Sequence, residues 1–204
     1  YCARDFVGDE PFLLLLGDHV YISGAAKRCA RQVVDVFGAC DCSVSAVKRT
    51  PEDLLHLFGT VGGVRVASDP DIYEVTDMFE KPSPELAEQR LSVEGLRRGV
   101  YLCFFGMHVF TPAIFDCLEY HIRNDIRERG EIQLTSSQKM LSERERYMAF
   151  EAVGERYDMG VPFGLVETQI ALALNSPARD EMLASLVRII ARSGFSRMEK
   201  EIWR

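Results

Sequence analysis

The chain lacks every short signature that would name a reaction on its own. It has no Gly-x-x-x-x-Gly-Lys phosphate loop, no Gly-x-Ser-x-Gly elbow, no His-Glu-x-x-His pair and no pair of Cys-x-x-Cys units. Those absences set aside a Walker-type nucleotidase, an elbow hydrolase, a zincin and a zinc ribbon. Basic charge is also short: 24 Lys and Arg stand against 31 Asp and Glu, a net charge of -7, with the basic residues dispersed. A nucleic-acid partner calls for a basic patch or stripe, so none is expected. The leucine-rich run at 12–16 is far shorter than the roughly 20 apolar residues that cross a bilayer, and no lipidation box or secretory signal is present. The six cysteines form no framework, with Cys40 and Cys42 one residue apart and Cys2, Cys29, Cys103 and Cys117 scattered. Reduced, mostly buried thiols are expected, as in a cytoplasmic protein.

What is present fits one α/β domain, since 204 residues lie near the usual size of a single core. Residues 12–16 read as a buried strand, 25–37 as a helix after Gly24, and 43–47 as a second strand. That β-α-β order favours parallel strands joined by a crossover helix. Pro51 starts a short helix to Leu57 with Thr50 as its cap. Stretches 61–67 and 72–79 then read as strands around Ser68-Asp69-Pro70-Asp71, which has hairpin chemistry. A long apolar strand at 100–110 contains Gly106, expected at a bulge, and a helix follows Thr111-Pro112. Helices are expected at 132–141, 162–174 and 182–190, the last stopping at Ser193-Gly194, with a strand at 147–153.

Two aspartates share a setting. Asp18 follows the first strand and Gly17, and Asp158 follows the strand at 147–153. In an open α/β sheet ligands bind at that edge, and two converging carboxylates make a natural Mg²⁺ site. Helix capping is the competing role for Asp18, and for His19 beside it both a ligand and a cap or pocket role stay open. Glu80-Lys81-Pro82 follows a third strand. There Lys81 offers a compact cation to a sugar phosphate and Glu80 an acceptor to sugar hydroxyls, against the alternative of a solvated surface pair. Gly59 leaves its backbone N–H open to a sugar, whereas Gly62-Gly63 reads as a turn. Glu131 either reaches a hexose or serves the start of the next helix at Thr135.

Six motifs in order are more specific than any residue alone. They are Leu-Leu-Gly-Asp at 15–18, Phe-Gly-Thr-Val at 58–61, Phe-Glu-Lys-Pro at 79–82, Phe-Thr-Pro at 110–112, Gly-Glu-Ile-Gln-Leu-Thr at 130–135 and Arg-Tyr-Asp-Met-Gly at 156–160. The series resembles the sugar-phosphate nucleotidyltransferases, nearest to the bacterial-type UTP-glucose-1-phosphate uridylyltransferases, over about residues 10–175. The resemblance implies a Rossmann-like mixed, mainly parallel sheet and Mg²⁺-dependent, in-line transfer from UTP to glucose 1-phosphate, giving UDP-glucose and pyrophosphate. It implies metal ligation by Asp18 and Asp158, phosphate binding by Lys81, and hexose contacts from Gly59, Glu80 and Glu131. Thymidylyl transfer, or a non-catalytic regulatory subunit that binds sugar nucleotides, is the alternative. The family's N-terminal Gly-x-Gly-[Thr/Ser]-Arg loop does not occur, and the chain opens on Tyr1, so it is read as an N-terminally incomplete and by itself inactive domain over 1–204, with 177–204 a helical extension. His19 stands where the uridylyl branch commonly has an acid, and Ser136 where Asp often follows Leu-Thr. A homo-oligomer built through the terminal amphipathic helix, or docking of that helix on its own domain, is left open.

Overall fold

The computed structural model describes residues 1–192. At its centre is β6 (Val100–Phe110), buried without a break from Tyr101 to Phe110. A strand covered on both faces reads as a continuous apolar run rather than an alternation. β6 runs antiparallel to β1 (Phe12–Leu15) on one side and to β3 (Ser43–Pro51) on the other. Beyond β3 come β7 (Tyr147–Glu151), β5 (Asp69–Glu80) and β4 (Gly59–Val66), in the order β1-β6-β3-β7-β5-β4, and β4 also pairs antiparallel with β6 at Thr60–Cys103 and Val61–Leu102. The sheet is mixed, as expected, but its pairings are mainly antiparallel. Only β3 and β7 are parallel neighbours among the described residues. The β-α-β reading holds for direction: β1 and β3 are both antiparallel to β6 and so run the same way. They do not pair, because β6, from far downstream, is inserted between them.

Val47, Val61, Leu102, Phe110, Phe115 and Leu141 lie in the main core, where α4 (Ala113–Arg123) and α5 (Leu134–Arg144) supply apolar side chains. A smaller cluster around Leu55, Leu91 and Tyr101 lies with a 3-10 turn (Glu52–Leu57) and α3 (Pro84–Arg90). That turn replaces the helix expected from Pro51, and the Thr50 hydroxyl donates to the Lys48 carbonyl instead of capping it. The expected β4–β5 hairpin forms, pairing Arg65 with Tyr73 and Val66 with Asp69. Gly62-Gly63 makes no turn and lies inside β4 at a register shift. A Cβ on Gly62 would come 2.9 Å from Leu91 Cα, and one on Gly63 2.7 Å from the Glu74 carbonyl, so close packing of backbone explains both glycines. Gly106 is at a bulge as expected: its φ is 89°, and the β3–β6 register shifts between Ser45 and Val47.

α2 (Cys29–Cys40) begins four residues later than the periodicity suggests. α3 forms where Pro82-Ser83-Pro84 ends a strand and opens a short helix, and three short elements have no counterpart in the sequence pattern: α1 (Arg4–Val7), β2 (His19–Ser23) and β8 (Gly154–Asp158). All six cysteines are free thiols, four of them buried, and burial pushes Cys42 up to about 11. No helix among the described residues is long and apolar enough to cross a membrane.

The chain divides into two compact units. The first is 1–17 with 23–155, and the second is 18–22 with the residues from 156 onward. The second contains α6 (Gly164–Leu174) and α7 (Arg179–Arg192). The extension expected at 177–204 thus includes α7, while 193–204, with the stop expected at Ser193-Gly194, lie outside the described residues.

One polar knot sits inside the first unit. Ser45 Oγ lies 2.6 Å from both His108 Nδ1 and the Tyr147 hydroxyl, and the Gln138 amide donates to that hydroxyl at 3.0 Å. His108 is also stacked on Phe110, with ring centroids 5.4 Å apart. Burial pushes His108 down to about 3. The unfolded chain binds this proton near 6.5 and the folded chain does not, so stability is full above about pH 6.5 and falls as pH drops toward 3. His108→Gln is therefore expected to reduce, by about 2–3 kcal/mol, the stability lost between neutral pH and about pH 4.5, as read from urea midpoints.

Candidate active site

In the first unit the end of β5 meets the start of β4. Gly59 and Glu80 are register partners, and the Glu80 side chain is only 14% exposed. Thr135, in the first turn of α5, donates its hydroxyl to Glu80 Oε2 at 2.6 Å. That bond fixes the carboxylate at a helix N-terminus, where the helix dipole favours negative charge. A Cβ at position 59 would fall 2.6 Å from Phe104 Cδ2, 2.9 Å from Glu80 Oε2 and 3.0 Å from Thr135 Oγ1. Glycine is the residue that leaves the carboxylate where Thr135 holds it.

Lys81 has a left-handed backbone, φ 46°. Two hydrogen bonds hold it there: its N–H donates to the Phe58 carbonyl at 3.1 Å, and its carbonyl accepts from Arg129 Nη2 at 2.6 Å. The ammonium lies 4.0 Å from Glu80 Oε1 with its side chain 41% exposed. A pinned backbone with an exposed cationic tip suits an anionic ligand arriving from solvent. Glu131 is exposed, and its backbone bridges to Glu128 across a turn with positive φ at Arg129 and Gly130. Among the described residues no hydrogen bond or ion pair joins its carboxylate to Glu80 or Lys81. Ser136 donates to Glu128 at 2.7 Å. The sequence reading overlooked Thr135 as a partner of Glu80 and Arg129 as a partner of Lys81. Their only signal was membership of the charged turn and the motif that starts α5.

The second unit brings the two aspartates together. β2 and β8 form a two-stranded sheet, with Asp18 just before β2 and Asp158 closing β8. The Met159 N–H donates to the Asp18 carbonyl at 2.8 Å, which sets the two carboxylates side by side. Asp158 was expected directly after a strand at 147–153. That strand ends at Glu151, and Asp158 belongs to the separate β8. The Gly160 N–H donates to Asp158 Oδ1 at 2.8 Å, and a Cβ on Gly160 would come 3.0 Å from Asp18 Oδ2 and 3.1 Å from Asp158 Oδ1.

His19 completes the group: one ligand atom from each of Asp18, His19 and Asp158 lies within 4.8 Å of the others. Burial first, and then the Arg156 charge, lower the His19 pKa against the pull of Asp158 and Asp18. The imidazole is therefore neutral at neutral pH and brings no positive charge to the carboxylates. Two carboxylates at this spacing have the donor chemistry of a divalent-cation site, and hard oxygen donors fit Mg²⁺.

The tight fit around Gly59 gives a direct check. Gly59→Ala forces Phe104, Glu80 or Thr135 aside and is expected to cost about 1–3 kcal/mol, measured by chemical denaturation.

No family model matches the chain. It is 33% identical over 184 residues to a UTP-glucose-1-phosphate uridylyltransferase of Bacillus subtilis (strain 168), a match covering 90% of this chain and 57% of that protein. Among solved structures, apo UDP-glucose pyrophosphorylase superposes with a TM-score of 0.72 at 26% identity, covering 85% of this chain and 57% of the other. A UDP-glucose pyrophosphorylase complexed with UDP-glucose gives a TM-score of 0.69 at 26% identity, covering 85% and 60%. The chain thus spans about three-fifths of the length of the proteins it matches. Matched in sequence and in fold over most of its own length, this chain is a homologue of proteins named UTP-glucose-1-phosphate uridylyltransferase and UDP-glucose pyrophosphorylase.

Proposed function

We propose that the chain is the sugar-phosphate and cation-binding part of a UTP-glucose-1-phosphate uridylyltransferase. The observation that carries the reading is the pair Asp18 and Asp158, held side by side by the Met159 to Asp18 hydrogen bond, in motifs that resemble those of the family. It is supported by Glu80 and Lys81, each fixed by a named partner in the first unit.

In this reaction a phosphate oxygen of glucose 1-phosphate attacks the α-phosphorus of UTP in line, that P–O bond forms, and the bond to pyrophosphate breaks. No covalent intermediate on the protein is needed, so catalysis is positioning and neutralisation of charge. Lys81 binds the sugar phosphate and offsets its charge. Glu80 accepts hydrogen bonds from hexose hydroxyls, and Gly59 offers its N–H to the same ring, with Glu131 as a further hexose contact. Asp18 and Asp158 hold Mg²⁺, which when bound supplies Lewis-acid neutralisation of the phosphates.

The domain is assigned to 1–204 with 177–204 as its helical extension, and free buried thiols support a cytoplasmic setting. The glycine-rich loop that meets the triphosphate in the family does not occur in these residues. The activity is therefore assigned to the protein carrying this chain.

In that protein, Asp158→Ala is expected to lower Mg²⁺-dependent UDP-glucose formation at least about 100-fold. Full activity in that variant overturns the reading. Lys81→Ala is expected to raise the KM for glucose 1-phosphate about 10- to 100-fold, from the loss of one charged hydrogen-bonding group.

A further inference from the structure

A third donor joins the carboxylate pair. The His19 side chain is 8% exposed, and its Nε2 lies 3.7 Å from Asp158 Oδ2 and 3.9 Å from Asp18 Oδ1. Both distances exceed a hydrogen bond. The nitrogen is therefore aimed between the two carboxylates, drawn toward both and sitting at the long end of any contact with either, so that the three groups face one common point. The opposite edge of the ring is anchored: Nδ1 lies 3.4 Å from the Tyr21 hydroxyl, and the two rings meet edge-on at 6.0 Å. A metal-binding histidine characteristically has its other nitrogen engaged in this way.

The spacing supports the same conclusion. Two donors each about 2.1 Å from a common ion can be no more than about 4.2 Å apart. Both His19 to carboxylate distances, 3.7 and 3.9 Å, lie inside that limit. At Gly160 a side chain would press on both carboxylates, at 3.0 and 3.1 Å, and glycine leaves that space clear.

We infer that His19 Nε2 is a third protein ligand of the cation held by Asp18 and Asp158, and that it makes the site favour first-row transition ions, Mn²⁺ included, over Mg²⁺. This rests on the cation site proposed above and deepens it. Mg²⁺ prefers an all-oxygen shell and keeps its waters, whereas first-row transition ions accept imidazole nitrogen beside carboxylate oxygen, and Mn²⁺, the weakest binder of that row and the one that shares the oxygen preference of Mg²⁺, is the most stringent probe of the difference. His19→Asp would restore an all-oxygen set at the same place.

The test is Mn²⁺ binding to the nucleotide-free protein, followed by loss of the free-ion electron paramagnetic resonance signal, with Mg²⁺ as competitor. Wild type, His19→Asp, His19→Asn and Asp158→Ala are compared, and folding of each is checked by circular dichroism. The expected result is Mn²⁺ bound at least about tenfold more tightly than Mg²⁺ in wild type, with that ratio falling about tenfold or more in His19→Asp. Electron spin-echo modulation from a directly bound nitrogen should be present in wild type and absent in both His19 variants. An unchanged Mn²⁺ to Mg²⁺ ratio in His19→Asp, with binding still abolished by Asp158→Ala, overturns the role of His19 and leaves the carboxylate site standing. Binding that is absent in wild type, or unaffected by Asp158→Ala, overturns the cation site and this inference with it.

Discussion

The constraint on which the first unit depends is that β6 is buried on both faces. An eleven-residue strand with no solvent-facing row needs neighbours along both edges and cover above and below. β1, β3 and, at Leu102 and Cys103, β4 take its edges, and α4 and α5 contribute to the core that covers it. The one irregularity is the bulge at Gly106, whose carbonyl accepts the Leu16 N–H at 3.1 Å. That bond holds the end of β1 immediately before the chain passes through Gly17 to Asp18. A defect in the central strand thus fixes the exit of its edge partner.

Lys81 and Asp18 are placed by bonds to their backbone. Lys81 is held by hydrogen bonds at its N–H and carbonyl, and its side chain is left to reach outward. Asp18 is tied through its carbonyl to Met159, so the geometry of the carboxylate pair follows from the β2–β8 strand pairing. Holding groups this way before a ligand arrives lowers the ordering cost at binding, which is what a reaction driven by position and charge requires. Gly164 shows how little slack remains: a Cβ there would come 1.9 Å from the Asp158 carbonyl.

Much of this was legible in the chain because the relevant signals are local. Gly59, Glu80, Lys81, Asp18 and Asp158 lie at strand ends inside short motifs, and the β4–β5 hairpin is announced by its turn residues. What stayed hidden depends on partners distant in sequence. The antiparallel balance of the sheet follows from β6 entering between β1 and β3, and no window of sequence contains all three. The Thr135 hydroxyl reads as a helix start, yet its partner Glu80 is 55 residues away. β8, with the sequence Gly-Glu-Arg-Tyr-Asp, has no alternating apolar row and exists because β2 pairs with it. His19 was visible as a histidine beside an aspartate, but its meeting with Asp158 appears only once that pairing is made.

The most direct measurement is phosphorus NMR of the protein carrying this chain, incubated with UTP, glucose 1-phosphate and a divalent cation. The account predicts that UDP-glucose and pyrophosphate appear together in equal amounts and only when all three components are present. Persistence of both substrates unchanged, in a protein shown to be folded and to contain the glycine-rich loop, would contradict it.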